Sequence, residues 1–263
     1  MAAHDADSKV PRAGLLIINA DDWGWGPEIT ERTLECLRGG SVSSVSAMVF
    51  MEDSERAAAL AREQGIDAGL HLNFTTPFSA PFCSARLAEH QHKIARCLLR
   101  HRFAQALFYP TLMRSFEYVV SAQVDEFCRL YGSVPCRVDG HHHMHLCANV
   151  LLGRLLPGGA VVRRNFSFEP REKSSINYLY RQVVDRMLAR RHRLADFFFS
   201  LTPLGPPARL QRIFSLARQF AVEIETHPVN PEEHRFLAEG EIFRWAQECP
   251  IAPGLAVTPN GNT

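Results

Sequence analysis

The chain has 263 residues, 46% of them hydrophobic, which suffices to fill one ordinary core. Its 29 basic side chains nearly match its 28 acidic ones, so no net field draws it to nucleic acid or anionic lipid, and small or neutral ligands fit better. No run reaches the ~20 apolar residues of a membrane span, and the polar start "MAAHDADSKVPRAG" lacks the apolar core of a secretion signal, so a cytoplasmic protein is expected.

In chain order, strand-like and helical runs alternate. The apolar run "LLIIN" precedes a helix over Pro27 to Arg38, with proline at its first position and Gly39-Gly40 at its end. The β-branched "VSSVSAMVF" leads into "DSERAAALAREQG", a helix that Ser54 can cap and Gly65 can end. A short strand follows in "IDAGLHLNF". The segment from Thr75 to Phe116 is too long for a simple loop, contains a helix over Ala85 to Arg100, and reads as a lid or substrate-facing excursion. A helix over Ser121 to Leu130 leads through Gly132 to the strand "VPCRVDG". "NVLLGRLL", "AVVRRN", "PARLQRIFSLARQF" and "AVEIETHP" continue the alternation, and the basic run "ARRHR" at 189–193 reads as a solvated helix end. Repeated β-then-α units imply a parallel sheet wrapped by helices. Residues 1–13 are expected to be a disordered tail and 14–263 a single domain, although "CPIAPGLAVTPNGNT" offers no convincing final strand and helix.

Parallel sheets of this kind bind ligands at the carboxyl ends of their strands. The polar residues at those predicted ends are Asp21 and Asp22, His71, Asp139 with His141, Arg163, and His227. Taken alone, Asp22 reads as a helix cap, His71 as a core histidine, and Arg163-Arg164 as an exposed basic pair or an anion-orienting one. The adjacency of Asp21 and Asp22 argues otherwise, because two neighbouring buried carboxylates repel unless a cation or donors compensate. A metal held by one, with the other left as a base, resolves the conflict. In "VDGHHHMH", His141 and His145 are four apart and can share a helical face, or His141 alone can be the ligand; spacing leaves both open. His227, between a strand and a proline, can serve as a proton donor if it reaches the same rim. The seven cysteines are odd in number, scattered and without a C-x-x-C pair, which argues against a disulfide framework and a cysteine-built zinc module. Phosphate-binding glycine loops and a G-x-S-x-G elbow are absent.

"LLIINADDWG", "GGSVSSVSAMV", "GLHLNF", "VDGHHHMH" and "EIETHP", in this order, resemble the YdjC-like carbohydrate deacetylases over residues 14–240. The resemblance implies an α/β fold, a distorted (β/α) barrel similar to that of the polysaccharide deacetylases. It also implies hydrolysis of an N-acetyl group on an amino sugar or glycoconjugate at one divalent metal ion. On matching positions it makes Asp22, His71 and His141 the metal ligands, Asp21 the general base and His227 the acid. Asn73, Arg163 and Trp23 are then expected to contact substrate. Family resemblance favours Mg²⁺, whereas two imidazoles and a carboxylate suit Zn²⁺ or another transition metal. Trp23 and Gly140 depart from the phenylalanine and serine usual in the family. A non-catalytic metal- or sugar-binding protein and a phosphoester metallohydrolase are the alternatives, and a homodimer is the candidate assembly.

Overall fold

A computed structural model describes residues 14–101, 103–168, 172–247, 249 and 251–252. The expected N-terminal tail (1–13) and most of the C-terminal stretch in question lie outside these residues. The elements are β1 (Leu15–Trp23), α1 (Pro27–Arg38), β2 (Ser44–Ala47), α2 (Ser54–Gln64), β3 (Ala68–Leu72), α3 (Ala85–Leu98), α4 (Met113–Tyr131) and β4 (Arg137–Gly140). There follow α5 (Ala148–Gly153), β5 (Val161–Val162), α6 (Ser175–Ala189), β6 (Phe197–Ser200), α7 (Pro207–Ala217), β7 (Ala221–Thr226), α8 (Pro231–Ala238) and α9 (Ile242–Trp245).

The punctuation read from the sequence places most of these boundaries. Pro27 opens α1, while Gly65 (φ 66°) and Gly132 (φ 75°) end α2 and α4 in the left-handed conformation that glycine adopts without a Cβ penalty. Ser54 is the first residue of α2 rather than its cap; its hydroxyl donates to Met51 O at 2.8 Å. The excursion is no loose lid. Ser84 caps α3 through Leu87 N–H, and Gln91 on α3 reaches Thr76 O (2.8 Å) and Phe78 N (3.1 Å), tying the loop to the helix.

The seven strands form one parallel sheet in the order β5-β4-β3-β2-β1-β7-β6. The sheet curls until its two edges approach. Val161 bridges Arg193, Val162 N–H donates to Arg193 O at 2.9 Å, and Ser167 N–H donates to Phe198 O at 2.8 Å. Strands therefore succeed one another around a barrel-like ring in chain order, with β7 returning beside β1. After β7, which pairs with β1, come α8 and α9, and Ile251 then bridges Leu16 of β1 with Ala252 N–H donating to Leu16 O at 2.9 Å.

Around the ring two chemistries alternate. Ile18, Ala20, Val45, Ala47, Leu70, Leu72, Val138, Val162, Val222 and Ile224 join the apolar core with the outer helices. The alternate positions, Asn19 and Asp21, Ser44 and Ser46, His71, Arg137 and Asp139, Arg163, and Glu223 and Glu225, point the other way and bond to one another. Period-two alternation thus gives the ring an apolar outside and a hydrogen-bonded polar inside.

Candidate metal centre

Two adjacent residues on a regular strand point to opposite faces. Strand β1 avoids this with a bulge: Ala20 pairs with Val45 and Trp23 with Ala47, so three steps on β1 oppose two on β2. Within the bulge Asp22 adopts φ 64°, a left-handed conformation costly for a residue with a Cβ. The extra residue turns both carboxylates toward one rim.

Asp22 Oδ1 there lies 3.3 Å from His71 Nε2 on β3 and 2.8 Å from His141 Nδ1 just after β4. One donor atom from each of Asp22, His71 and His141 fits within 4.8 Å of the others, and all three residues are buried. Burial alone would raise the Asp22 pKa, but the hydrogen bonds and charge of His141 and His71 outweigh it and hold the carboxyl well below the usual carboxylate range. His71 donates its other nitrogen, Nδ1, to Asp139 Oδ1 at 2.8 Å, which fixes the ring with Nε2 facing Asp22. His141 Nε2 is buried without a hydrogen-bond partner among the described residues, and the edge of Trp25 covers that ring at 5.2 Å between centroids.

Asp21 is held differently. Arg163 grips it with both nitrogens of its fork, Nη1 to Oδ2 at 2.6 Å and Nη2 to Oδ1 at 2.8 Å, while Asn19 Nδ2 donates to Oδ1 at 2.7 Å. Asp21 Oδ2 stands 4.0 Å from His71 Nε2, beside the Asp22–His71–His141 set; Asp21, His71 and Asp139 also bring donor atoms within 4.8 Å of one another, but the Arg163 fork engages both oxygens of Asp21. The same guanidinium reaches Asp139 Oδ2 (2.8 Å), Glu223 Oε1 (2.7 Å) and Glu225 Oε2 (3.4 Å), and packs over the Phe198 ring at 4.9 Å. Burial and the neighbouring Asp21 charge push the Glu225 carboxyl well above its ordinary pKa, and burial raises Glu223. Four buried or half-buried carboxylates around one guanidinium leave the pocket short of positive charge.

The histidine run does not form the α-helical face on which His141 and His145 would align. Residues His141–Leu146 make a tight 3-10 segment in which His142 (φ 54°) and His143 (φ 56°) are left-handed. His145 is turned away from Asp22 and donates Nε2 to Arg163 O at 3.0 Å, so it secures the residue that holds Asp21. Burial lowers its pKa to about 4, leaving it neutral at physiological pH. Gly140 makes room for it, since a Cβ there would lie 3.0 Å from the His145 backbone nitrogen. His142 meets Thr75 Oγ1 at 3.0 Å, and burial lowers its pKa too.

His227 follows β7. The β1–β7 register ends with Ala20 opposite Thr226, the residues that immediately precede Asp21 and His227. Its backbone N–H donates to Glu233 Oε2 at 2.6 Å, and the other oxygen of Glu233 accepts from Thr202, which fixes the loop from α8. The three expected substrate contacts are placed elsewhere. Trp23 is fully buried in the apolar core, whereas Trp25 borders the site. Asn73 spends its amide on the loop after β3, accepting from Thr75 N and Thr76 N and donating to Thr76 O. Arg163 is enclosed by the carboxylates just described. Glu223, Glu225 and Asn19 were not singled out by sequence, although their every-other-residue spacing with charged or amide neighbours was visible there.

Comparison with known proteins bears on this geometry. A family model described as YdjC-like protein matches residues 15–248. A carbohydrate deacetylase of Mus musculus is 32% identical over 142 residues, covering 51% of this chain and 44% of that protein. A chitooligosaccharide deacetylase of Proteus mirabilis (strain HI4320) is 31% identical over 134 residues, 51% of each. The chain thus spans about half the length of the curated relatives it matches. A crystal structure from Enterococcus faecalis V583, provisionally named a cellobiose-phosphate cleavage protein, superposes with a TM-score of 0.63 at 18% identity over 92% of this chain and 97% of that one, which supports the fold.

Proposed function

This chain belongs to the YdjC-like family, and on that premise we propose that it is a metal-dependent hydrolase removing an N-acetyl group from an amino sugar or glycoconjugate. The observation that carries the reading is the juxtaposition of a closed Asp22–His71–His141 donor set with a separately held carboxylate, Asp21. A binding protein would need only the first; a hydrolase uses the second as its base. The names of the mouse and Proteus relatives support the amino-sugar substrate.

A divalent ion suits the donor set: the carboxylates exceed the cations, His141 Nε2 is an orphaned buried nitrogen, and Asp139 backs His71 in the manner of a ligand histidine. Two imidazoles with one carboxylate match Zn²⁺ or another first-row transition ion better than Mg²⁺. When bound by Asp22, His71 and His141, such an ion supplies Lewis acidity for the amide carbonyl and the attacking water. Asp21 takes the proton from that water, its carboxylate oriented by the Arg163 fork so that no rotation is needed during the reaction. His227 gives a proton to the departing nitrogen as the C–N bond breaks, releasing acetate and a free amine. Arg163 holds Asp21 from behind and Asn73 braces the loop after β3, while Trp25 takes the place expected of Trp23 at the rim. None of Cys36, Cys83, Cys97, Cys128, Cys136 and Cys147 is in a disulfide, which supports residence in a reducing compartment such as the cytoplasm.

The test is acetate release from a panel of N-acetylated saccharides by the metal-loaded protein, with phosphate release from phosphoesters followed in parallel. Acetate without phosphate is expected; phosphate alone would assign the site to phosphoester hydrolysis, and neither product would assign it to binding. Within the same reading, Asp139→Asn is expected to weaken metal affinity about 10–100-fold by freeing the His71 ring. Competition with a graded chelator measures this, and an affinity equal to that of the wild type would remove Asp139 from the site.

A further inference from the structure

The apolar side chains of α6 divide between two faces. Val184 and Leu188 are buried against the body of the protein, whereas Ile176, Leu179, Tyr180 and Val183, spaced i, i+3, i+4, i+7, are 82%, 59%, 37% and 45% exposed. A helix normally turns such a stripe inward, so a second stripe left in solvent marks a contact surface. Leu107 and Phe108, also exposed, follow the 3-10 turn at Ala104–Ala106, and Gln105 of that turn shares a pocket with His142, Asn177, Tyr180 and Arg181. The apolar surface thus flanks a cleft lined by His142 and His143, the two residues that follow His141.

Charge narrows the choice of occupant. The chain as a whole is balanced, yet residues 172–193 carry Lys173, Arg181, Arg186, Arg190, Arg191 and Arg193 against Glu172 and Asp185. Asp185 is moreover engaged by Arg164 at 2.7 Å. Lys173, Arg186, Arg190 and Arg191 are exposed. Bulky apolar and aromatic side chains along one stripe, with cations at its ends, form the pattern by which a helix lies in the interface of an anionic bilayer. A two-fold contact between copies would instead set this basic segment against itself. Among the described residues no helix is long and apolar enough to cross a membrane, so attachment would be peripheral.

We propose that the exposed face of α6, together with Leu107 and Phe108, docks the protein onto an anionic lipid surface, with the cleft beside His142 held against that surface. This is independent of the deacetylase reading, because vesicle binding requires no turnover. The experiment is co-sedimentation of the full chain with phosphatidylglycerol/phosphatidylcholine vesicles and with phosphatidylcholine vesicles alone. Binding is expected to the anionic vesicles and to weaken with salt. Ile176→Asp with Leu179→Asp should lower binding on the order of tenfold or more while leaving thermal unfolding unchanged, since both side chains are solvent-facing. Arg186→Glu with Arg190→Glu should lower it independently, which guards against a misfolded first variant. No co-sedimentation at low salt, or equal binding by the wild type and both variants, would overturn the proposal. A dimer in sedimentation equilibrium that the Ile176/Leu179 variant dissociates would overturn it as well, by assigning the face to a second copy.

Discussion

Asp21→Asn is expected to lower turnover by roughly 10²–10⁴-fold, the range that a positioned general base contributes, while metal content stays at the wild-type level. The substitution keeps the shape of the side chain and one oxygen for the Arg163 fork, but an amide cannot take a proton from water. Asp21 lies outside the Asp22–His71–His141 set, which is why metal retention and loss of turnover should part company. Initial rates on a metal-loaded preparation, with metal measured on the same sample, provide the check. A variant that keeps full rate removes Asp21 as the base; one that loses its metal makes Asp21 part of the binding site.

Arg163→Met is expected to have the largest effect on stability. It would leave Asp21, Asp139, Glu223 and Glu225 clustered without their shared cation, and breaking one side of a buried ion pair typically costs about 3–5 kcal/mol. For a chain of this size that corresponds to a melting point lower by on the order of 10 °C. Arg163→Lys should rescue only part of this, since a single ammonium cannot reproduce the fork on Asp21. The sequence-based alternative, in which Arg163 contacts substrate, leads to a different pattern: a raised KM with an unchanged melting point. Thermal unfolding of the three proteins, set beside their KM and kcat, separates the two roles. If Arg163→Met folds too poorly to purify, Arg163→Lys still distinguishes them through the same pair of measurements.

Much of the architecture was legible because local chemistry and global fold agree. Pro27, Gly65 and Gly132 stand where the helix boundaries require them, and the alternation of runs sufficed for a parallel sheet. The helix α6 was read only at its end, through the basic run at 189–193, and the strand β6 was not read. The exposed Ile176–Val183 stripe does not mark a core-facing helix, and "FFFS" is too short and uniform to show a period. The convergence of Asp21, Asp22, His71 and His141 on one rim followed from counting strand ends. The bulge that allows two consecutive aspartates to share it did not, because a bulge is a property of two strands in register and only one is visible locally. Arg163 was misjudged for a related reason: whether a cation meets a foreign anion or the protein's own depends on partners 142 residues away in the chain. Similarly, His145 has the spacing of a helical ligand pair with His141, and only the left-handed turns at His142 and His143 send it to the Arg163 carbonyl.

The most direct measurement is a metal titration of the purified protein by calorimetry, with elemental analysis of the product, for the wild type, Asp22→Ala and Asp21→Asn. One equivalent of a divalent ion in the wild type and in Asp21→Asn, and none in Asp22→Ala at the same concentrations, is the expected result. Equal stoichiometry and affinity in all three would contradict the assignment of Asp22, His71 and His141 as a single ion site.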